Sequence, residues 1–191
     1  MAKIVLASGS PRRQELLRRI GLTDFDVRVP KTEESYPAGL RPRETVEYIS
    51  REKADAAAKL CGPGEIVITA DTMVFLDDAR LGKPANEADA LRMLTALQGR
   101  RHTVCTGVTV RQGSRSLTES EATQVYFRPA DQAELLRYIQ TGEPMDKAGA
   151  YGVQGKGALL VERLDGDFFN VMGLPLLRLS RMLKEFGLEV L

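Results

Sequence analysis

Short apolar runs alternate with amphipathic stretches along this chain, a pattern that predicts an α/β protein. Lys3-Ile4-Val5-Leu6-Ala7 is apolar and β-branched, and predicts a buried strand. Ser8-Gly9-Ser10 leads into a helix over residues 11–20, with Ser10 as N-cap, Pro11 at the first helical position and Gly21 as the stop. A second short strand is predicted over 25–30 and an exposed loop over 32–43. A helix follows over 42–61, with Val46, Ile49 and Ala57 on its apolar stripe and Gly62-Pro63-Gly64 behind it. Residues 66–70 form the most apolar strand, with Asp71 at its C-terminal end, and 72–83 reads as a hairpin around Asp77-Asp78. Asn86 caps a helix reaching about Leu97, Asp89 completes an approximate capping box, and Gly99 follows as the stop. Residues 102–110 and 118–127 alternate like an antiparallel pair joined across Gln112-Gly113-Ser114. A helix over 131–140 ending at Gly142, a strand over 158–164 and an amphipathic helix over 175–186 complete the chain. The expected architecture is a mixed twisted sheet flanked by helices, within one domain spanning 1–191.

Composition narrows the chemistry. The net charge is +1, so no general nucleic-acid or membrane surface is expected, and no apolar run approaches a membrane span. Cys61 and Cys105 have no metal or redox spacing, and without an export signal a cytoplasmic setting is the expectation. His102 is the only histidine, so a metal would need carboxylates and phosphate oxygens, which favours a hard ion such as magnesium or manganese.

The charges that break the apolar pattern are the candidate site. Arg12 and Arg13 sit in the first turn of a helix, where the dipole disfavours cations by a few tenths of a kcal/mol each, up to about 1. A bound polyanion reverses that sign, because amides, the Ser8 and Ser10 hydroxyls and two guanidiniums can converge on it. A strand-end aspartate such as Asp71 more often only caps a turn, but in an open α/β sheet it also stands where ligands bind. Lys83, between Gly82 and Pro84, could aim at a phosphate, and Lys53 interrupts an Ala-rich helical face, although either could be an ordinary solvated lysine. Glu34 could share a divalent cation with Asp71. The Asp146–Gly157 stretch carries four glycines that let backbone approach a ligand, and the Gln154 amide could meet a base edge. Four cations and a carboxylate pair, with no Ser–His or Cys–His nucleophile, suit a metal–triphosphate substrate and attack by water.

Five ordered blocks carry a resemblance: Ala7-Ser8-Gly9-Ser10-Pro11-Arg12-Arg13, Ala70-Asp71-Thr72, Gly82-Lys83-Pro84, Asp146-Lys147-Ala148-Gly149-Ala150-Tyr151-Gly152-Val153-Gln154-Gly155 and Asn170-Val171-Met172-Gly173-Leu174-Pro175. Together they resemble the signature blocks of the Maf family, the septum-formation-inhibitor-like nucleoside triphosphate pyrophosphatases. The resemblance implies a fold related to the inosine triphosphate pyrophosphatases, with two lobes around a cleft, and hydrolysis between the α and β phosphates. It also implies a divalent cation (Mg, Mn or Co), a cytoplasmic setting and a homodimer. It makes Asp71 the proton acceptor. It makes Arg12, Thr72 and Gln154 marks of the subgroup that resembles dTTP/UTP pyrophosphatases, rather than the sister subgroup preferring 7-methyl-GTP. Ser8, Arg12, Arg13, Lys53, Thr72, Lys83 and Gln154 are then the expected substrate contacts, with Glu34 and Asp71 on the metal. Glu33-Glu34 stands where the family commonly has an Asp-Glu pair. A regulator that binds nucleotide without turnover is the competing reading, and a buried acid beside a triphosphate argues against it.

Overall fold

A computed structural model describes residues 2–32 and 35–191. The elements are β1 (Ile4–Leu6), α1 (Pro11–Arg19), β2 (Phe25–Val27), α2 (Pro42–Ala58), β3 (Ile66–Leu76), β4 (Ala79–Leu81), α3 (Glu87–Leu97), β5 (Arg101–Gln112), β6 (Arg115–Phe127), α4 (Gln132–Ile139), β7 (Val161–Asp165), α5 (Phe168–Met172) and α6 (Leu176–Glu185). The strands form one mixed sheet in the order β2-β1-β3-β5-β6-β7, with β4 paired to β3. β1 runs parallel to both β2 and β3, whereas β4 is antiparallel to β3 and β7 to β6. The expected α/β class with a mixed sheet is therefore the one observed.

The chain divides into two compact units. The first comprises Met1–Asp71, Thr106–Glu121 and Gly173–Leu191; the second comprises Thr72–Cys105 and Ala122–Met172. In the first unit α2 lies directly on β5. A Cβ at Gly107 would fall 2.3 Å from the Val46 carbonyl oxygen, so only glycine permits the approach. In the second unit Leu94 of α3 and Leu135 and Ile139 of α4 share a buried cluster with Val74, Val104 and Val125 of the sheet.

His102 lies within this second core. Its ring meets Phe127 and Tyr151 edge-on, and its Nε2 shares a 2.7 Å hydrogen bond with the Tyr151 hydroxyl. Burial lowers its pKa from 6.5 to about 4. The unfolded chain therefore takes up this proton at a higher pH than the folded one, and stability falls as pH drops from 6.5 towards 4. The gap corresponds to about 3 kcal/mol. The stability of wild type minus that of His102→Phe should shrink by about this amount between pH 7 and pH 4, read from urea melts at each pH.

Several elements depart from the sequence pattern. The strand expected over 25–30 stops at Val27, because β1 offers only three residues to pair with. The strand expected over 66–70 continues without a break to Leu76, since Val74, Phe75 and Leu76 pair with β4 across the Asp77-Asp78 turn. Asp71 therefore lies inside a strand, beyond the last residue that β1 pairs. Ser10 occupies the N-cap position of α1, but its side chain makes no capping bond. Asn86 and Asp131 do cap, accepting from the amides of Asp89 and Glu134. The strand expected over 158–164 begins only at Val161, and a 3₁₀ stretch, Gly155–Leu160, precedes it. Helix α5 has no counterpart in the sequence reading. Asp167 starts it by accepting from the amides of Phe169 and Asn170.

Candidate functional site

The start of α1 offers unmatched positive potential. Its first turn holds no acidic side chain, Pro11 has no N–H, and the Ser10 hydroxyl is not spent on the helix. The two arginines there have different surroundings. Arg13 Nε donates to the Gly173 carbonyl at 2.8 Å, and its Nη1 donates to Ser8 Oγ at 3.1 Å and to the Ala70 carbonyl at 2.9 Å. Arg12, half-buried in the same turn, has no such partner among the described residues. The sequence pattern alone gives both arginines to a bound polyanion. Arg13 is instead built into the fold, joining the β1–α1 loop, the residue before Asp71 and a turn near the end of the chain. That turn needs glycine, because Gly173 has φ +110°. Ser8 is buried and its Oγ accepts twice, from Arg13 and from the Ser10 amide, which leaves its own proton to donate.

Asp71 and Lys53 form a pair. Lys53 Nζ donates to Asp71 Oδ1 at 2.7 Å, with only 16% and 8% of the two side chains exposed. The local geometry explains the meeting. Ser50 and Lys53 lie one turn apart on α2, and Thr69 and Asp71 point to the same side of β3. Beneath the pair, Thr69 Oγ1 donates to the Ser50 carbonyl at 2.8 Å, and Ser50 Oγ bonds Thr109 Oγ1 at 2.7 Å. These hydroxyls pin α2 against β3 and fix the register that brings lysine to aspartate. The second carboxylate oxygen, Asp71 Oδ2, is buried with no hydrogen-bond partner. A carboxylate oxygen left bare in the interior is costly unless something visits it, such as a water, a proton or a cation.

Three further candidates, Thr72, Lys83 and Gln154, lie in the second unit. Thr72 is half-buried in β3. Lys83 is exposed, and the Gly82 carbonyl before it accepts from the Gly149 amide at 3.0 Å, which ties the Gly82-Lys83-Pro84 block to the glycine-rich block. Gly149 has φ +71°, and a Cβ there would press on Val74 at 2.9 Å. The glycine-rich block is not an open loop. It folds into short 3₁₀ turns, Tyr151 and Val153 are buried, and Gln154 stands half-buried between them and Gly155–Leu160. Glu143, which no sequence motif marks, accepts from the Tyr138 hydroxyl and from the amides of Lys156 and Gly157. Burial draws its carboxyl pKa up, but those amides, the hydroxyl and the Lys147 charge outweigh it and hold the pKa below the usual value. No spacing rule connects Glu143 to residues 13 and 14 positions later; only the helix-like capping of 3₁₀ amides by a carboxylate could have suggested it.

Among the described residues no three His, Cys, Asp or Glu side chains cluster as a metal site, and Glu34 lies outside the described residues. No described helix is long and apolar enough to cross a membrane.

The fold and these side chains define an α/β protein equipped for anionic ligands. A family profile described as "Maf-like protein" matches residues 3–186, and the chain belongs to the Maf family. A dTTP/UTP pyrophosphatase of Symbiobacterium thermophilum is 47% identical over 190 residues, covering 100% of this chain and 97% of its own. One of Pelotomaculum thermopropionicum is 48% identical over 193 residues, covering 100% of both chains. One of Exiguobacterium sibiricum is 49% identical over 186 residues, covering 97% of this chain and 93% of its own. The solved structure of a HAM1 protein from Coxiella burnetii overlaps 97% of this chain and 100% of its own at 16% identity, with a TM-score of 0.47.

Proposed function

We propose that this chain is a nucleoside triphosphate pyrophosphatase that hydrolyses dTTP and UTP, and modified uridine triphosphates, to the monophosphate and pyrophosphate. The observation that carries the reading is Asp71. One of its oxygens is held by Lys53 and the other is buried and unpartnered, an arrangement suited to taking a proton from an attacking water. The names of the relatives supply the substrate pair. In this reading Lys53 orients the base and lends positive charge to the phosphates. Arg12, Lys83 and Ser8 bind the triphosphate, Arg13 holds Ser8 and the backbone before Asp71, and Thr72 and Gln154 contact the base.

The bare Asp71 oxygen is a hard donor and fits a divalent cation such as magnesium, manganese or cobalt, which Asp71 and Glu34 would hold together with substrate oxygens. Such a cation, when bound, neutralises charge on the triphosphate. The enzyme would work in the cytoplasm as a homodimer over a single functional domain, 1–191, with neither nucleic acid nor membrane as partner.

The test is pyrophosphate release across dTTP, UTP, CTP, GTP and 7-methyl-GTP with each cation. dTTP and UTP should lead. A wild type preferring 7-methyl-GTP would place the chain in the sister subgroup, and nucleotide binding without release would make it a regulator. Gln154→Ala should lose about 1–3 kcal/mol of discrimination between UTP and GTP, because a polar edge of the base is left unpaired. An unchanged substrate ranking in that variant would assign base choice elsewhere.

A further inference from the structure

Glu143 has no part in the chemistry above, yet the segment around Gln154 is built on it. Its Oε1 accepts from the Tyr138 hydroxyl at 2.9 Å and from the Gly157 amide at 3.0 Å, and its Oε2 accepts from the Lys156 amide at 3.0 Å. The Tyr138 oxygen accepts in turn from the Gly152 amide at 3.1 Å. Lys147 Nζ donates to the Glu143 carbonyl at 2.6 Å and fixes the backbone of the glutamate itself. The segment 152–157 is thus fastened at both ends to one pair of side chains, with Gln154 between the fastenings.

The glycines are what allow the segment to close on the carboxylate. Gly155 has φ +69°, and a Cβ there would stand 2.7 Å from Glu143 Oε2. At Gly157 a Cβ would stand 2.3 Å from the Gly152 carbonyl oxygen and 2.5 Å from the Tyr138 hydroxyl. Either side chain would push the segment off its anchor. Glycine supplies close approach here, and the carboxylate removes the freedom that glycine otherwise brings.

This rigidity has a consequence for recognition. A glutamine amide on a loose loop can re-aim its donor and acceptor to suit whichever base arrives, and it then discriminates little. An amide held in one place leaves a wrong base with unpaired polar groups. We propose that Glu143 is a specificity-positioning residue, whose carboxylate, with the Tyr138 hydroxyl, clamps residues 152–157 and holds Gln154 where it reads the base. This rests on the pyrophosphatase reading and on the role given there to Gln154.

The experiment is a cycle of Glu143→Gln, Gln154→Ala and the double variant, assayed for kcat/KM on UTP and GTP and for Kd of UMP and GMP by calorimetry. Glu143→Gln should lower the UTP-over-GTP ratio roughly tenfold or more, towards the ratio of Gln154→Ala. In the Gln154→Ala background the same change should leave the ratio where it is, because the two residues act as one unit. Tyr138→Phe removes only a hydroxyl and should shift the ratio in the same direction, which keeps the proposal open to test where Glu143→Gln does not fold. Equal losses on UTP and GTP, or independent losses in the double variant, would overturn the positioning role. A wild type that releases no pyrophosphate but still prefers UMP to GMP would sink the pyrophosphatase reading alone. A wild type with no base preference in either measurement would sink the positioning role as well.

Discussion

Asp71→Asn lowers the turnover of dTTP and UTP by roughly two orders of magnitude or more, the scale of a lost general base. The substitution keeps the shape of the side chain and one oxygen for Lys53, so the 2.7 Å contact survives as an ordinary hydrogen bond. What disappears is the bare oxygen able to accept a proton, which the amide nitrogen cannot replace. The loss should persist in kcat at saturating nucleotide and cation, because the phosphate-binding groups at the start of α1 are untouched, while a weaker hold on the cation raises the cation concentration needed to saturate. A melting curve run alongside separates chemistry from folding. Turnover within a few-fold of wild type, in a variant that remains folded, would remove Asp71 from the mechanism.

Arg13→Ala costs about 3 kcal/mol of stability without any ligand present, through the loss of hydrogen bonds to a charged donor and the stranding of their acceptors. This reverses the expectation from helix electrostatics, which makes a first-turn arginine mildly unfavourable and its removal harmless or helpful. Magnitude decides between them. The dipole contributes a few tenths of a kcal/mol, up to about 1, against three bonds that reach Ser8, Ala70 and Gly173. Arg13→Lys should recover less than half of the loss, because a single ammonium cannot match the guanidinium fork. Urea melts of the unliganded protein measure both. A midpoint at or above wild type would return Arg13 to the role of a spare cation.

These two residues also mark how far the sequence could be read. The Asp71 carboxylate was conspicuous, because it interrupts an apolar run, and Lys53 stood out against alanines. That the two touch was not legible, since it depends on the hydroxyl contacts of Ser50, Thr69 and Thr109 across α2, β3 and β5. The end of β3 is hidden in the sequence for a related reason. A strand stops where its partners stop, and β4, not the local pattern, carries it to Leu76. Arg13 looks unspent in the sequence because two of its three acceptors, the carbonyls of Ala70 and Gly173, lie 57 and 160 residues away. Ala158-Leu159-Leu160 has the composition of a strand, but a distant carboxylate captures the amides in front of it and winds it into a 3₁₀ turn. Signals confined to neighbours, such as the cap at Asn86 and the Asp77-Asp78 turn, were legible.

The chain changes unit four times, between Asp71 and Thr72, Cys105 and Thr106, Glu121 and Ala122, and Met172 and Gly173. Three of these passages fall inside strands. A gene fragment encoding residues 72–172 would contain the whole second unit, but it would also carry away Thr106–Glu121, which belongs to the first. Neither unit exists as a stretch of DNA that recombination could lift out intact. A protein threaded in this way cannot be assembled by joining one ready-made module to another, or trimmed back to one of them. Its two units are inherited together, on one interleaved stretch of chain.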